Sequence, residues 1–290
     1  MYRIGLVGSE NSHARAFAKV FSQDPDFQDL AVTAVCGNEG RDKSEKILEY
    51  FPDAVIVESP GEMLPLVDAV MITSRDGIFH YPYAKTFLDA GKPLFVDKPF
   101  TVDPAEARKL VALAKEKNIP ICGGSSLKCC PDTVSFGEKR KALGENLRSG
   151  FASAPLQPES PYSGFYFYAS HLVEICLAVF GWEPEAVTAL QAKNALTAVF
   201  HYGEYDAVCS FTPGCNKYFV QLTGDGNVLE AKEIDLEPAY RLEAEEFAQM
   251  LRTGVMPYTY QQLTEPVFCM NAIQESCKSG KRVPVRREED

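Results

Sequence analysis

Along the first 120 or so residues, short apolar runs alternate with stretches whose apolar positions recur at helical spacing. The runs over 3–7, 31–36, 54–57, 69–72, 94–96 and 119–122 are apolar on both alternating faces, as strands of a parallel sheet covered on two sides must be. Helices are expected between them over 13–21, 42–50, 81–90 and 104–117. The last is announced by Asp103 as N-cap ahead of Pro104, and Gly91 stops the third. Strand and helix in strict alternation predict βαβ units and a doubly wound parallel sheet, an α/β arrangement.

Beyond Gly123-Gly124 the pattern changes. Residues 125–165 carry glycine, proline and serine clusters with weak periodicity, including Ala154-Pro155 and Ser160-Pro161. An apolar helix follows over 168–180 and ends at Gly181. Alternating segments at 186–192, 197–202, 206–211, 218–223 and 228–231 read as strands, with a hairpin turn at Gly224-Asp225-Gly226. Helices over 240–252 and 260–279 close the chain. The expected organisation is a first domain over 1–122 and an α+β domain over 123–290 with a mostly antiparallel open sheet. One face of that sheet is expected under helices and the other open. An open apolar face predicts a homodimer or homotetramer.

Bulk composition narrows the function classes. A chain of 290 residues suits two domains, and 46% hydrophobic with 24% charged residues is ordinary for globular proteins. A net charge of −11 excludes general nucleic-acid affinity but permits a polyanionic cofactor at a helix N-terminus. No apolar run reaches the roughly 20 residues that span a bilayer, and the start has no signal-peptide pattern. Nine scattered cysteines without a CxxC pair suit a reduced protein, so the cytoplasm is the expected location.

Candidate chemistry sits at strand ends. The loop Gly8-Ser9-Glu10-Asn11-Ser12-His13 joins the first strand to the first helix, where a dinucleotide's pyrophosphate would lie. Gly8 matches the first glycine of G-x-G-x-x-G, whereas Glu10 and His13 replace the second and third. A carboxylate is unfavourable beside phosphate unless it turns away or pairs with a cation. Asn11 and Ser12 remain as donors. The second strand ends in Cys36-Gly37-Asn38-Glu39, where Asn38 suits a ribose hydroxyl and Arg41 or Lys43 a 2′-phosphate, so NAD and NADP both stay open. Asp97-Lys98-Pro99 ends a buried strand, where such sheets place ligands. Proline holds Lys98 extended. A desolvated lysine there can polarise a carbonyl or stabilise an alkoxide.

The stretch from Val67 to Phe100, with its Val-Asp-Ala-Val-Met-Ile-Thr-Ser, Ala-Gly-Lys and Asp-Lys-Pro elements, resembles the glucose-fructose oxidoreductase, inositol dehydrogenase and MocA (Gfo/Idh/MocA) family. Aspartate stands where the family more often has glutamate. Weaker similarity extends across Glu265-Pro266, 271–273 and 279–283. The resemblance implies a Rossmann-type first domain that binds NAD or NADP, and oxidoreductase action on a sugar, cyclic polyol or related hydroxy/keto compound. It implies catalytic roles for Lys98 and His171, with Tyr168 as an auxiliary hydroxyl donor. It implies cofactor contacts from Gly8, Ser9, Asn11, Ser12, Asn38, Thr73, Ser74, Asp97 and Pro99, and substrate contacts from Lys128 and Glu174. No spacing matches a metal site. The family's acid four residues before the histidine is Phe167 here, and Glu174 is expected to pair with the His171 imidazole. Departures at Glu10, His13 and Phe167 keep two alternatives open: a non-catalytic nucleotide- or sugar-binding regulatory relative, and a cofactor-retaining lyase or glycosidase. On the leading reading, Lys98 and His171 meet across an interdomain crevice.

Overall fold

A computed structural model describes residues 1–287 and places the six apolar runs of the first half in one parallel sheet. Its strands are β1 (Tyr2–Val7), β2 (Leu30–Cys36), β3 (Val55–Ile56), β4 (Ala69–Ile72), β5 (Leu94–Asp97) and β6 (Ile121–Gly124), in the order β3-β2-β1-β4-β5-β6. The order reverses at β1, which pairs with both β2 and β4. In such sheets the crevice at the strands' carboxyl ends beside that reversal is where ligands bind.

Helix α1 (Ser12–Gln23) buries His13, Ala14, Phe17, Ala18 and Phe21 on the face that periodicity predicts. Helix α2 (Arg41–Glu45) is only one turn long, and the rest of the expected 42–50 helix is a run of turns. Helix α3 (His80–Asp89) precedes β5. Helix α4 (Pro104–Lys117) is capped by Asp103 and ends at Asn118 in the left-handed conformation, φ 53°.

Two elements of the second half lay hidden in the low-periodicity stretch. Helix α5 (Pro131–Leu143) and the long strand β7 (Leu147–Leu156) use small residues because α6 (Phe165–Phe180) packs closely on them. A Cβ on Gly150 would lie 2.1 Å from the Phe180 ring, and one on Gly137 2.7 Å from the Ala178 carbonyl oxygen. Small residues at contact positions hide the hydrophobic alternation that would have betrayed both elements. The strands β8 (Ala186–Ala192), β9 (Ala195–His201), β10 (Asp206–Pro213), β11 (Phe219–Gly224) and β12 (Asn227–Glu233) match the expected segments.

Helices α7 (Ala239–Thr253) and α8 (Tyr260–Ser279) precede a short strand β13 (Val283–Pro284) that extends the sheet to the order β12-β11-β7-β10-β9-β8-β13. All neighbours are antiparallel except β7 and β10, which run parallel. Alternate residues of β9 and β10, such as Leu196, Ala198, Phe200, Ala207, Cys209 and Phe211, join α6 in one core. Their neighbours Thr197, Val199, Val208 and Ser210 stay half-exposed on the other face, as the pattern predicts. The expected fold class, a Rossmann-type sheet followed by an α+β domain with a mostly antiparallel sheet, is what the chain adopts.

The chain divides into one unit of Met1–Gly124 with Tyr240–Leu263 and another of Ser125–Ala239 with the chain from Thr264 on. Helix α7, assigned by sequence order to the 123–290 domain, thus belongs with the parallel sheet. Its Ala244, Phe247, Ala248 and Met250 join the core of Phe17, Phe21 and Phe95, with Phe247 6.1 Å from Phe95 between ring centroids. An apolar stripe on a surface helix goes to whichever core can cover it, not to the nearest in sequence.

The tight seat of Gly150 makes a direct test. Gly150→Ala is expected to lower the unfolding free energy by about 1–3 kcal/mol through overpacking against Phe180, measured by urea denaturation. An unchanged midpoint would mean that α6 does not press on β7 there.

Candidate active site

The first unit gathers most of its predicted cofactor residues at the carboxyl ends of β1, β4 and β5. Gly8 has φ +88°, and a Cβ there would lie 2.2 Å from the Ser74 backbone nitrogen, so only glycine lets the loop after β1 close on the end of β4. Thr73 Oγ1 donates to the carbonyls of Val7 and Gly8 at 2.9 and 3.2 Å. Asn11 caps α1 by accepting the His13 backbone N–H, while its Nδ2 donates to the Thr73 carbonyl at 2.9 Å and reaches Asp97 Oδ2 at 3.4 Å. Ser12 is exposed at the first turn of α1, which carries no acidic residue.

Asp97 is buried at the end of β5. Its Oδ1 accepts the Lys98 backbone N–H at 2.7 Å, and Oδ2 accepts His13 Nδ1 at 2.6 Å. Burial alone would push this carboxyl up. His13 opposes burial by charge and hydrogen bond, Lys98 and His80 by charge, and together they hold it well below the usual carboxylate range. Lys98 is itself buried at 3% exposure, and the peptide bond to Pro99 is cis. The Pro99 carbonyl lies 2.6 Å from His80 Nδ1, and the Ser74 carbonyl 2.9 Å from His80 Nε2. Burial pushes the His80 imidazole below its ordinary value. His80 therefore ties the ends of β4 and β5 together.

Glu10, whose carboxylate would repel a pyrophosphate, is held by neighbouring strand ends. It accepts the Asn38 backbone N–H at 3.0 Å, Asn38 Nδ2 at 3.2 Å and the Arg75 backbone N–H at 3.5 Å. Asn38 also reaches Ser74 Oγ at 3.2 Å and accepts from the Tyr83 hydroxyl at 2.6 Å. Ser9 is spoken for elsewhere, its Oγ 2.7 Å from Ser44 Oγ.

The second unit builds its own buried polar cluster. Lys128 Nζ donates to Glu174 Oε2 at 2.8 Å with both side chains 3% exposed, and the same oxygen accepts the Ser125 backbone N–H at 2.8 Å. His171 Nδ1 lies 2.6 Å from Ser125 Oγ. Glu174 Oε2 is thus met by Lys128 and the Ser125 backbone, partners that spacing along the helix did not name. A buried carboxylate is compensated by an ammonium and a backbone N–H, and both are supplied to Glu174. Tyr168 and Tyr218 each place a ring 6.1 Å from the imidazole between centroids, and Phe167 packs 5.3 Å from Tyr162 and 5.1 Å from Tyr168. Burial pushes the Tyr218 hydroxyl pKa up, so it stays protonated.

Ser125 and His13 were missed as site residues because their importance lies in partners far along the chain. One signal was available for His13, a polar residue on the buried stripe of α1.

A family profile described as an oxidoreductase family with an NAD-binding Rossmann fold matches residues 2–122. The uncharacterized oxidoreductase YdgJ of Escherichia coli is 35% identical over 115 residues, which is 39% of this chain and only 31% of that protein's own length. The scyllo-inositol 2-dehydrogenase (NADP(+)) IolW of Bacillus subtilis is 25% identical over 85% of this chain and 80% of its own. The scyllo-inositol dehydrogenase of Lactobacillus casei, solved with NAD(H) and scyllo-inositol, superposes with a TM-score of 0.83 at 14% identity, covering 98% of this chain and 99% of that one.

The Asp97–His13 pair carries a pH signature. Because the native carboxyl is depressed, its stabilising contribution is full above the unfolded value of about 3.9 and is lost as pH falls through the native value. His13→Ala leaves the carboxylate buried without its ring partner and is expected to lower stability by about 3 kcal/mol at neutral pH. The deficit should shrink near pH 4, where the stranded carboxyl takes a proton. Urea denaturation of both proteins at the two pH values measures this, and equal deficits at both would contradict it.

Proposed function

Since the chain belongs to the Gfo/Idh/MocA oxidoreductase family and its first domain is an NAD(P)-binding Rossmann domain, we propose that it moves a hydride to or from a sugar, cyclic polyol or related hydroxy/keto compound. The observation that carries this reading is Lys98, a buried lysine at the carboxyl end of β5, one strand beyond the β1–β4 pair where the order of the parallel sheet reverses. The residues present fit a dinucleotide. The first turn of α1 holds no acid, so no carboxylate there opposes an anion, although the His13 N–H is already capped by Asn11, and the one acid of the loop is turned toward Asn38 and Arg75.

Gly8, Ser9, Asn11 and Ser12 would hold the pyrophosphate side. Asn38 would face the adenosine ribose, and Thr73, Ser74, Asp97 and Pro99 would line the path to the nicotinamide end. When bound, the nicotinamide supplies the hydride donor or acceptor. Lys98 stabilises charge on the reacting oxygen, and Asp97 and His13 fix the backbone that carries it. His171 takes or returns the hydroxyl proton at a ring nitrogen, held in orientation through Nδ1 by Ser125. Tyr168 donates a hydroxyl nearby. Lys128 and Glu174, fixed as a pair, offer the substrate's hydroxyl groups a rigid set of donors and acceptors. The half-exposed sheet face with Phe151, Val199, Val208 and Phe219 is where we place self-association into a dimer or tetramer.

Phe167 favours one second reading. An aromatic side chain in the place of the family's acid suits a relative that binds nucleotide or sugar without transferring hydride.

The test is nicotinamide absorbance with a panel of inositols and sugars, beside direct titration of NADH and NADPH. Lys98→Met is expected to lower kcat by at least about 100-fold and to leave nucleotide Kd within about threefold. Saturable nucleotide binding without turnover of any polyol would select the second reading. Full activity in the Lys98→Met protein would refute the assignment of that residue.

A further inference from the structure

Sheets of this kind ordinarily recognise the adenosine ribose of NAD through an acid at the end of the second strand. Here that strand end carries Asn38, and the acid that follows it, Glu39, lies 3.8 Å from the Arg75 guanidinium. A carboxylate is nevertheless present at the position, delivered from the loop after β1. Glu10 Oε2 accepts the Asn38 backbone N–H at 3.0 Å, and Oε1 accepts Asn38 Nδ2 at 3.2 Å and the Arg75 backbone N–H at 3.5 Å. These bonds set one carboxylate astride the ends of β2 and β4, the two strands that flank β1. Gly37 lies beside it: a Cβ there would clash with Ser9 Oγ at 2.4 Å and would meet Glu10 Oε2 at an ordinary contact distance of 3.4 Å.

Resting on the cofactor reading above, we propose that Glu10 is the residue that chooses the nucleotide. It accepts the 2′-hydroxyl of the adenosine ribose and turns away a 2′-phosphate, so the chain selects NAD over NADP. An ionised carboxylate offers about four acceptor positions, and three protein donors leave one for a ribose hydroxyl. A phosphate would bring a second negative group against it. The cations of this edge each have a carboxylate within 4 Å, which weakens the attraction they could offer a phosphate. Arg41 lies 3.7 Å from Glu45 and 3.5 Å from Glu58, Lys43 3.8 Å from Asp42, and Arg75 3.8 Å from Glu39. The replacement of the motif's second glycine by glutamate thereby becomes a relocation of the ribose acid from strand end to loop.

The experiment is equilibrium titration of the full chain with NADH, NADPH and 2′-deoxy-NADH, read by nucleotide fluorescence, for the unsubstituted protein and Glu10→Gln. The unsubstituted chain is expected to bind NADH at least about tenfold more tightly than NADPH, and 2′-deoxy-NADH about tenfold less tightly than NADH. Glu10→Gln, checked for folding by circular dichroism, should shrink the NADH preference by about tenfold. If that variant fails to fold, the 2′-deoxy comparison on the unsubstituted chain decides. NADPH binding as tightly as NADH, 2′-deoxy-NADH binding like NADH, or an unchanged ratio in folded Glu10→Gln overturns the role of Glu10 and leaves the cofactor reading intact. Absence of binding by every nucleotide overturns the cofactor reading itself, and Glu10's role with it.

Discussion

The Asp97 carboxylate, 1% exposed at the end of β5, constrains everything around it. A buried carboxylate persists in ionised form only where donors replace the water it has lost. Those donors come from three places: the Lys98 backbone after β5, the His13 ring on the first turn of α1, and the Asn11 amide in the loop before it. Because Asn11 also binds the Thr73 carbonyl and caps α1, one buried charge holds the ends of β1, β4 and β5 to a common geometry. The backbone of Lys98 is positioned as a by-product of solving that electrostatic problem.

Seen this way, the departures from the glycine-rich loop are exchanges of one set of contacts for another. Glutamate in place of the second glycine finds N–H groups at two strand ends, and histidine in place of the third finds a carboxylate. The two replacements differ in chemistry and settle on different partners. Aspartate in place of the family's commoner glutamate belongs to the same exchange, since its Oδ2 is met by the His13 ring.

The second unit obeys the same rule with different residues. Lys128 and Glu174 are buried together, and His171 is buried against Ser125. Spacing along α6 suggested that Glu174 would serve the imidazole, since residues three apart are neighbours on a helix. Proximity on a helix names candidates only. The rest of the unit supplies a further partner that spacing did not name, the ammonium of Lys128, 46 residues away.

The amino-acid sequence alone determined the alternation of strand and helix, the doubly wound sheet, the antiparallel strands from β8 to β12, and the placing of Lys98 at a strand end, because these follow from periodicity and punctuation that neighbouring residues express without help. It could not reveal α5 and β7, whose contact positions hold small residues shaped by the Phe180 ring and the Ala178 backbone. Nor could it reveal that α7 covers the parallel sheet, or that Glu10, His13 and Glu174 would find the partners they have. Those outcomes were decided by the tertiary structure, because burial sets the value of a charge or a ring by what stands opposite it, and what stands opposite is contributed by chain tens to hundreds of residues away.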